Sequence, residues 1–148
     1  MRPYAAEVTC LFCAIVAGTE PAYRVLEGDE VVGFLDTRPV FKGHALLVPR
    51  AHHETLADLP DRLLPALFGD VQRVSAAVVR AFGAEGSFVA MNNVVSQSVP
   101  HLHVHVVPRS RKDGLRGFFW PRTRYADEAD AADHAARLRA ALEPHTVK

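Results

Sequence analysis

His101-Leu102-His103-Val104-His105-Val106-Val107 runs between Pro100 and Pro108, three histidines at alternate positions interleaved with apolar residues. Side chains of a β-strand alternate faces with period two. On that reading the three imidazoles line one face, roughly 6–7 Å apart at ~3.3 Å rise per residue, while Leu102, Val104 and Val106 turn to the core. A helix would scatter the same histidines around its surface. Three in register are not a core solution, because each would need buried partners for two ring nitrogens. The spacing therefore predicts a chemical strand over 101–107, with Pro100 tolerated at its start and Pro108 ending it.

Outward from that strand, Ala22–Glu27 and Val31–Asp36 read as strands around a Gly28-Asp29 turn. His44–Pro49 reads as a third, with Gly43 before it. Between Asp61 and Phe82, Leu63, Leu64, Leu67, Phe68, Val71, Val74, Val78 and Phe82 fall at helical spacing. Pro65 marks either a kink or a later helix start. Ser87–Asn92 forms the strand before the histidines, and Asp130–Leu142 is a C-terminal helix ended by Pro144. Three strands, helix, two strands and helix make an α+β domain with an antiparallel sheet.

At 148 residues the chain has one domain's length and can bury a substantial core. Seventeen basic and seventeen acidic residues balance, so no global field draws it to nucleic acid or an anionic membrane. The arginine-rich stretch 109–124 is local: a solvated loop, or a minor electrostatic aid to a phosphate-bearing substrate. No apolar run approaches a membrane span. Val8–Ala17 has the length of a signal-peptide core, but Glu7 precedes it and two cysteines interrupt it; the expected location is cytoplasmic.

Cys10 and Cys13 are the only cysteines. A Cys-x-x-Cys pair leaves metal binding, redox chemistry or two unrelated thiols open. Redox pairs start a helix after a strand in a βαβ setting, which this N-terminal position does not offer. Zinc requires two further ligands from elsewhere in the chain.

The chain resembles the histidine triad (HIT) superfamily. His101–Val107 matches its His-φ-His-φ-His-φ-φ pattern, φ being apolar. Gln97-Ser98-Val99 resembles the Gly-Gln-Ser-Val lead-in, and Gly43–His52 the Gly-His-x-Leu-Val-x-Pro-Lys-x-His block. The resemblance covers roughly residues 10–122, the core of a single domain spanning 1–148 with a C-terminal helical extension at about 127–143. It implies a HIT-like fold: five antiparallel strands, one long central helix and a C-terminal helix. Zinc-bearing members with an N-terminal Cys-x-x-Cys imply His52 and His101 as partners of Cys10 and Cys13. His53 is the alternative to His52, less favoured by the Pro49-Arg50-Ala51-His52 spacing. Four protein ligands would close that site and make the Zn2+ structural. Edge-to-edge homodimers are common in the family and are expected here.

A neutral imidazole is a competent nucleophile toward phosphorus when an acceptor holds its other nitrogen in one tautomer. The resemblance implies that His103 attacks the α-phosphorus of a purine nucleotide, giving a nucleotidyl-imidazole that water hydrolyses to a nucleoside monophosphate. No metal is required for this step. Gln97, Ser98 and His105 match phosphate-contacting positions, and His44 a histidine adjoining the same pocket. Asp36 matches the family's ribose-binding acid; the other reading is a turn aspartate before Thr37-Arg38-Pro39. Phe34 and Ile15 would wall the base, or simply be core. Asn92, rather than Asn93, matches a phosphate-site asparagine. The implied substrate, as in the Hint-like branch, is a nucleoside phosphoramidate or adenylylated amine. The alternatives are a dinucleoside polyphosphate hydrolase and a nucleotide-binding module without turnover. The chain departs from the pattern at Asn93–Ser96, about two residues short, with Ser96 where glycine is usual. Trp120, within the apolar Gly114–Trp120 segment, is expected to shape the partner subunit's pocket or to pack at a dimer or core contact.

Overall fold

A computed structural model describes residues 10–116 and 122–142. The element order is α1 (Leu11–Ala17), β1 (Arg24–Glu27), β2 (Val31–Leu35), β3 (Ala45–Pro49), α2 (Leu64–Phe82), β4 (Gly86–Ala90), β5 (Val104–Arg109) and α3 (Glu128–Ala141), with short 3-10 turns at Leu56–Asp58 and Asp61–Leu63. The strands form one antiparallel sheet in the order β1-β2-β3-β5-β4. The described residues divide into two compact units, 10–113 and those from 114 on. The sheet, α1 and α2 belong to the first unit and α3 to the second.

Strand β3 is buried along its whole length because both sheet faces are covered. Ala45 and Leu47 join Val31, Val104 and Val106 under Leu67, Val71, Val74 and Val78 of α2. Leu46 and Val48 turn to the opposite face and meet Val32, Phe34, Phe12 and Ile15, the last two from α1. Each face thus receives one helix, as a two-sided apolar sheet requires. Helix α2 follows a 3-10 turn, with Pro65 in its first turn where the missing N–H costs nothing, and ends at Gly83 in the left-handed conformation. The second reading of Pro65, a later helix start, is the correct one.

Three expectations need correction. The histidine segment is not a strand throughout. Strand β5 starts at Val104, while His101, Leu102 and His103 form its lead-in, with the His101 amide bonded to the Val99 carbonyl (2.8 Å) and Leu102 to the His53 carbonyl (2.7 Å). Pro108 does not end β5, which runs on to Arg109 opposite Gly86. Strand β3 pairs with β5 only at 104–106, so Pro108 has one strand neighbour and its absent N–H is tolerated. Helix α1 was not anticipated, although the sequence carries its punctuation: Cys10 caps it, accepting the Cys13 N–H, and Gly18 ends it with φ 81°. The Cys-x-x-Cys pair starts this helix, with no strand before it among the described residues. Smaller shifts of one or two residues occur at the ends of β1, β2, β3, β4 and α3.

Candidate active site and metal-ligand cluster

The lead-in to β5 divides the three histidines between two tasks. His101 is fully buried, and its Nε2 donates to the Pro49 carbonyl at 2.8 Å. That bond leaves Nδ1 with the lone pair, facing Cys10 Sγ and Cys13 Sγ at 3.5 Å each. His52 Nδ1 lies 3.3 Å from Cys13 Sγ. The four ligand atoms of Cys10, Cys13, His52 and His101 fall within 4.8 Å of one another, and His53 stays outside the group. A tetrahedral ion with bonds of about 2.3 Å to sulfur and 2.0–2.1 Å to nitrogen would separate its nitrogen and sulfur ligands by roughly 3.5 Å. The donor set and its spacing fit such an ion. Burial, with Cys10 alongside, pushes the Cys13 thiol up to about 11, so metal binding there displaces a proton.

His103 turns the other way. Its Nδ1 donates to the carbonyl of His101 at 2.8 Å, which fixes the Nδ1–H tautomer and leaves Nε2 as a free lone pair. One residue thus offers its ring to the metal group and its backbone oxygen to the neighbouring imidazole. Phe12 of α1 stands edge-on to both rings, with centroids 6.0 Å from His101 and 5.0 Å from His103, and 5.4 Å from Phe34.

His105 lies within β5, opposite Leu46 of β3, and its ring centroid is 5.0 Å from that of His103. The Val40 amide donates to His44 Nδ1 at 3.1 Å, so the His44 proton resides on Nε2 and is given to His105 Nδ1 at 2.9 Å. His105 consequently carries its own proton on Nε2. Burial lowers His44, opposed by Asp36. Burial, then His103 and His44, pushes His105 down to about 4, so both rings are neutral at pH 7 and the relay has one direction. Asp36 with His44 and His105 also places ligand atoms within 4.8 Å. A proton already bridges the two imidazoles there, and the Val40 amide would oppose the tautomer a metal needs. The geometry is a relay. Gly43 allows it: with φ 98° it turns the chain into β3 just before His44, and a Cβ there would collide with the Phe82 ring at 2.3 Å.

A cavity of about 400 Å³ opens over this face and is lined in part by Phe12, Ile15, Phe34, Asp36, Ser98 and His103. Its lining also includes His105, Arg38 and Glu20. The structure thus brings together Ile15, Phe34, Asp36, Ser98, His103 and His105 of the expected residues, with His44 one hydrogen bond behind. Asn92 is exposed and outside the lining. Gln97 is outside it as well. Its Nε2 donates to the Glu54 carbonyl at 2.6 Å and its Oε1 accepts from Val94 N–H at 3.0 Å, which ties down the short loop. Asn93 does the same, accepting the Leu56 amide at 2.8 Å. The Asp36 carboxylate accepts the Arg38 amide at 2.8 Å, the turn contact weighed against its ribose role, and still faces the cavity. Phe12 and Arg38 were missed. Phe12 could have been found from the helix signature between Cys10 and Gly18. Trp120 lies outside the described residues.

The HIT domain family model matches residues 17–112, and the chain belongs to that family. It is 34% identical over 108 residues to adenylylsulfatase HINT3 of Arabidopsis thaliana, covering 72% of this chain and 55% of the relative, so it spans about half of that protein. It is 33% identical over 116 residues to adenosine 5'-monophosphoramidase hnt1 of Schizosaccharomyces pombe, covering 77% and 84%. The crystal structure of a HIT family member from Bacillus subtilis superposes with TM-score 0.84 at 31% identity, over 93% of this chain and 99% of that one. A zinc-bound histidine triad family protein from Mycobacterium smegmatis superposes with TM-score 0.70 at 34% identity, over 90% and 98%. No helix among the described residues is long and apolar enough to cross a membrane.

Proposed function

We propose that the protein is a hydrolase or transferase cleaving an α-phosphorus bond of a purine nucleotide, with nucleoside phosphoramidates or adenylylated amines as substrates. The observation that carries this reading is the His103 ring, whose Nδ1–H is held by the His101 carbonyl while the side chain lines the cavity. Nε2 attacks the α-phosphorus, the phosphorus–nitrogen bond to the leaving amine breaks, and the Nε2–H of His105 supplies a proton to that side. Water then displaces the imidazole, releasing the nucleoside monophosphate and restoring His103. His44 keeps His105 in its donor tautomer, and Ser98 borders the phosphate. Asp36 accepts hydrogen bonds from the ribose hydroxyls, and Phe34, Ile15 and Phe12 wall the base. Gln97 and Asn92 act in the phosphate site only once their segment moves toward the substrate.

Cys10, Cys13, His52 and His101 hold a structural Zn2+ that takes no part in the chemical step. Paired thiols serving as metal ligands fit a reducing, cytoplasmic setting. The 10–122 segment is the catalytic core, and 127–143 an appended helical segment. Two chains associate through β4, the sheet edge whose five residues pair with β5 alone.

Rapid acid quench and mass spectrometry provide the test. A nucleoside monophosphate adduct on His103 is expected, and His103→Ala loses at least about a thousandfold in kcat/KM while its affinity for AMP stays within about threefold. Retention of more than a few per cent of the rate overturns the assignment. A panel of adenylyl and guanylyl phosphoramidates beside dinucleoside tri- and tetraphosphates decides the substrate; preference for the latter selects dinucleoside polyphosphate hydrolysis.

A further inference from the structure

Arg38 lies two residues beyond Asp36 and lines the same cavity. Its backbone is committed, the amide donating to Asp36 Oδ1. Its guanidinium is not: the side chain is exposed and makes no hydrogen bond or ion pair with any described residue. Other arginines of the first unit are used structurally. Arg24 pairs with Glu27 and the Ile15 carbonyl, Arg50 binds the Gly28 carbonyl, and Arg109 pairs with Asp113. Among the described lining residues Arg38 is the one lysine or arginine, against two carboxylates, Glu20 and Asp36. Among the described residues the cavity thus carries one permanent cation, exposed and without a described partner, two residues from the carboxylate assigned to the ribose.

We propose that Arg38 is a specificity-determining residue that reads a second tetrahedral oxyanion on the nucleotide, beyond the α-phosphate served by His103, His105 and Ser98. The inference rests on the nucleotide reading above. A guanidinium presents a planar fork of donors that matches phosphate or sulfate oxygens bidentately, and it stays charged at any working pH. The oxyanion has two possible sources: a phosphate on the ribose, or a terminal phosphate or sulfate on the leaving-group side. Both offer the same chemistry to Arg38, and they differ in where it is attached.

The test is calorimetric titration of the wild-type protein, Arg38→Gln and Arg38→Lys with AMP, adenosine 3',5'-bisphosphate and ADP, at low and physiological salt. One of the two-anion ligands is expected to bind the wild-type protein about five- to tenfold more tightly than AMP at low salt, the size of one solvent-exposed charge-assisted contact. That ratio should shrink with salt, fall to within about twofold of unity in Arg38→Gln, and be partly kept by Arg38→Lys. A gain confined to the bisphosphate places the anion on the ribose; a gain confined to ADP places it on the leaving-group side. If neither ligand outbinds AMP, or if the ratio survives in Arg38→Gln, the proposal is overturned. Failure of AMP itself to bind the wild-type protein removes the nucleotide reading, and this inference with it.

Discussion

In the candidate site, His101, His103 and His44 each have one nitrogen fixed by a backbone group that can play only one part, and His44 in turn sets His105. The carbonyls of Pro49 and His101 can only accept, and the Val40 amide can only donate, which sets the tautomers that His101, His103, His44 and His105 take as neutral rings. A pH dependence follows from the same contacts. His105 has a folded-state pKa near 4, against 6.5 for the free side chain, and His44 is lowered too. Where the folded pKa lies below the unfolded one, protons bind preferentially to the unfolded chain. The stability due to neutral His105 is therefore complete above about pH 6.5 and declines as pH falls toward 4. Protonation would also put a second N–H on His105 Nδ1, facing the His44 Nε2–H, and break the relay. His105→Gln should lose less in melting temperature than wild type between pH 6.5 and 4.5, as thermal melts across that range would record. Equal slopes would mean that His105 is not held neutral by its surroundings.

At the scale of elements, α1 joins the two centres. It has seven residues, far too few to be stable alone, and is held by Phe12 and Ile15 on the sheet and by Cys10 and Cys13 at its start. Phe12 and Ile15 are also cavity wall. Stripping the metal with a chelator should therefore lower the melting temperature and weaken AMP binding together, by at least about fivefold, and Cys10→Ser should do the same. AMP affinity unchanged in metal-free protein would sever that link. The 93–96 loop is the second informative element. Val94 and Ser96 have φ of 70° and 61°, a left-handed region that costs a non-glycine residue about 1–2 kcal/mol, more so when β-branched. At Ser96, where the family resemblance leads one to expect glycine, the backbone takes a conformation that glycine adopts without strain. Val94 is 74% exposed and has little packing to lose. Val94→Gly should stabilise the protein by about 0.5 kcal/mol, the relief being partly offset by greater freedom of the unfolded chain; urea midpoints would detect it. The strands and α2 were legible because periodicity is a local property, and the grouping of Cys10, Cys13, His52 and His101, which could hold a metal, because their motifs match the family resemblance. The lead-in conformation of 101–103 was not. Alternation is blind to the backbone bonds of His101 and Leu102 to Val99 and His53, which lift the first histidine out of the strand. Helix α1 was overlooked because its seven residues carry too little periodicity to outweigh the cysteine motif that starts it.

Over the whole molecule, the described core clusters and the described lining of the candidate site lie within the first unit. Both buried clusters draw all their residues from positions 10–106, and every described residue lining the cavity lies between 11 and 105. Helix α3 contributes differently. Its fourteen residues are capped by Asp127 and carry internal pairs such as His134–Asp130, yet none of them is buried, and Leu138 is 66% exposed. A helix of that length without a buried face is marginal in water. The ion pairs that close the segment after β5, Arg109–Asp113 and Arg111–Glu85, are contained within residues up to 113. A chain ending at Asp113 should therefore fold, keep its metal content and melt within about 3 °C of the full-length protein, since a change near 1 kcal/mol moves the melting temperature of a domain this size by several degrees. AMP affinity should stay within about threefold. A drop of ten degrees or more, with core contacts intact by circular dichroism, would show that residues 114–148 stabilise the domain through contacts other than burial of α3, and would move the functional boundary of the protein past the sheet.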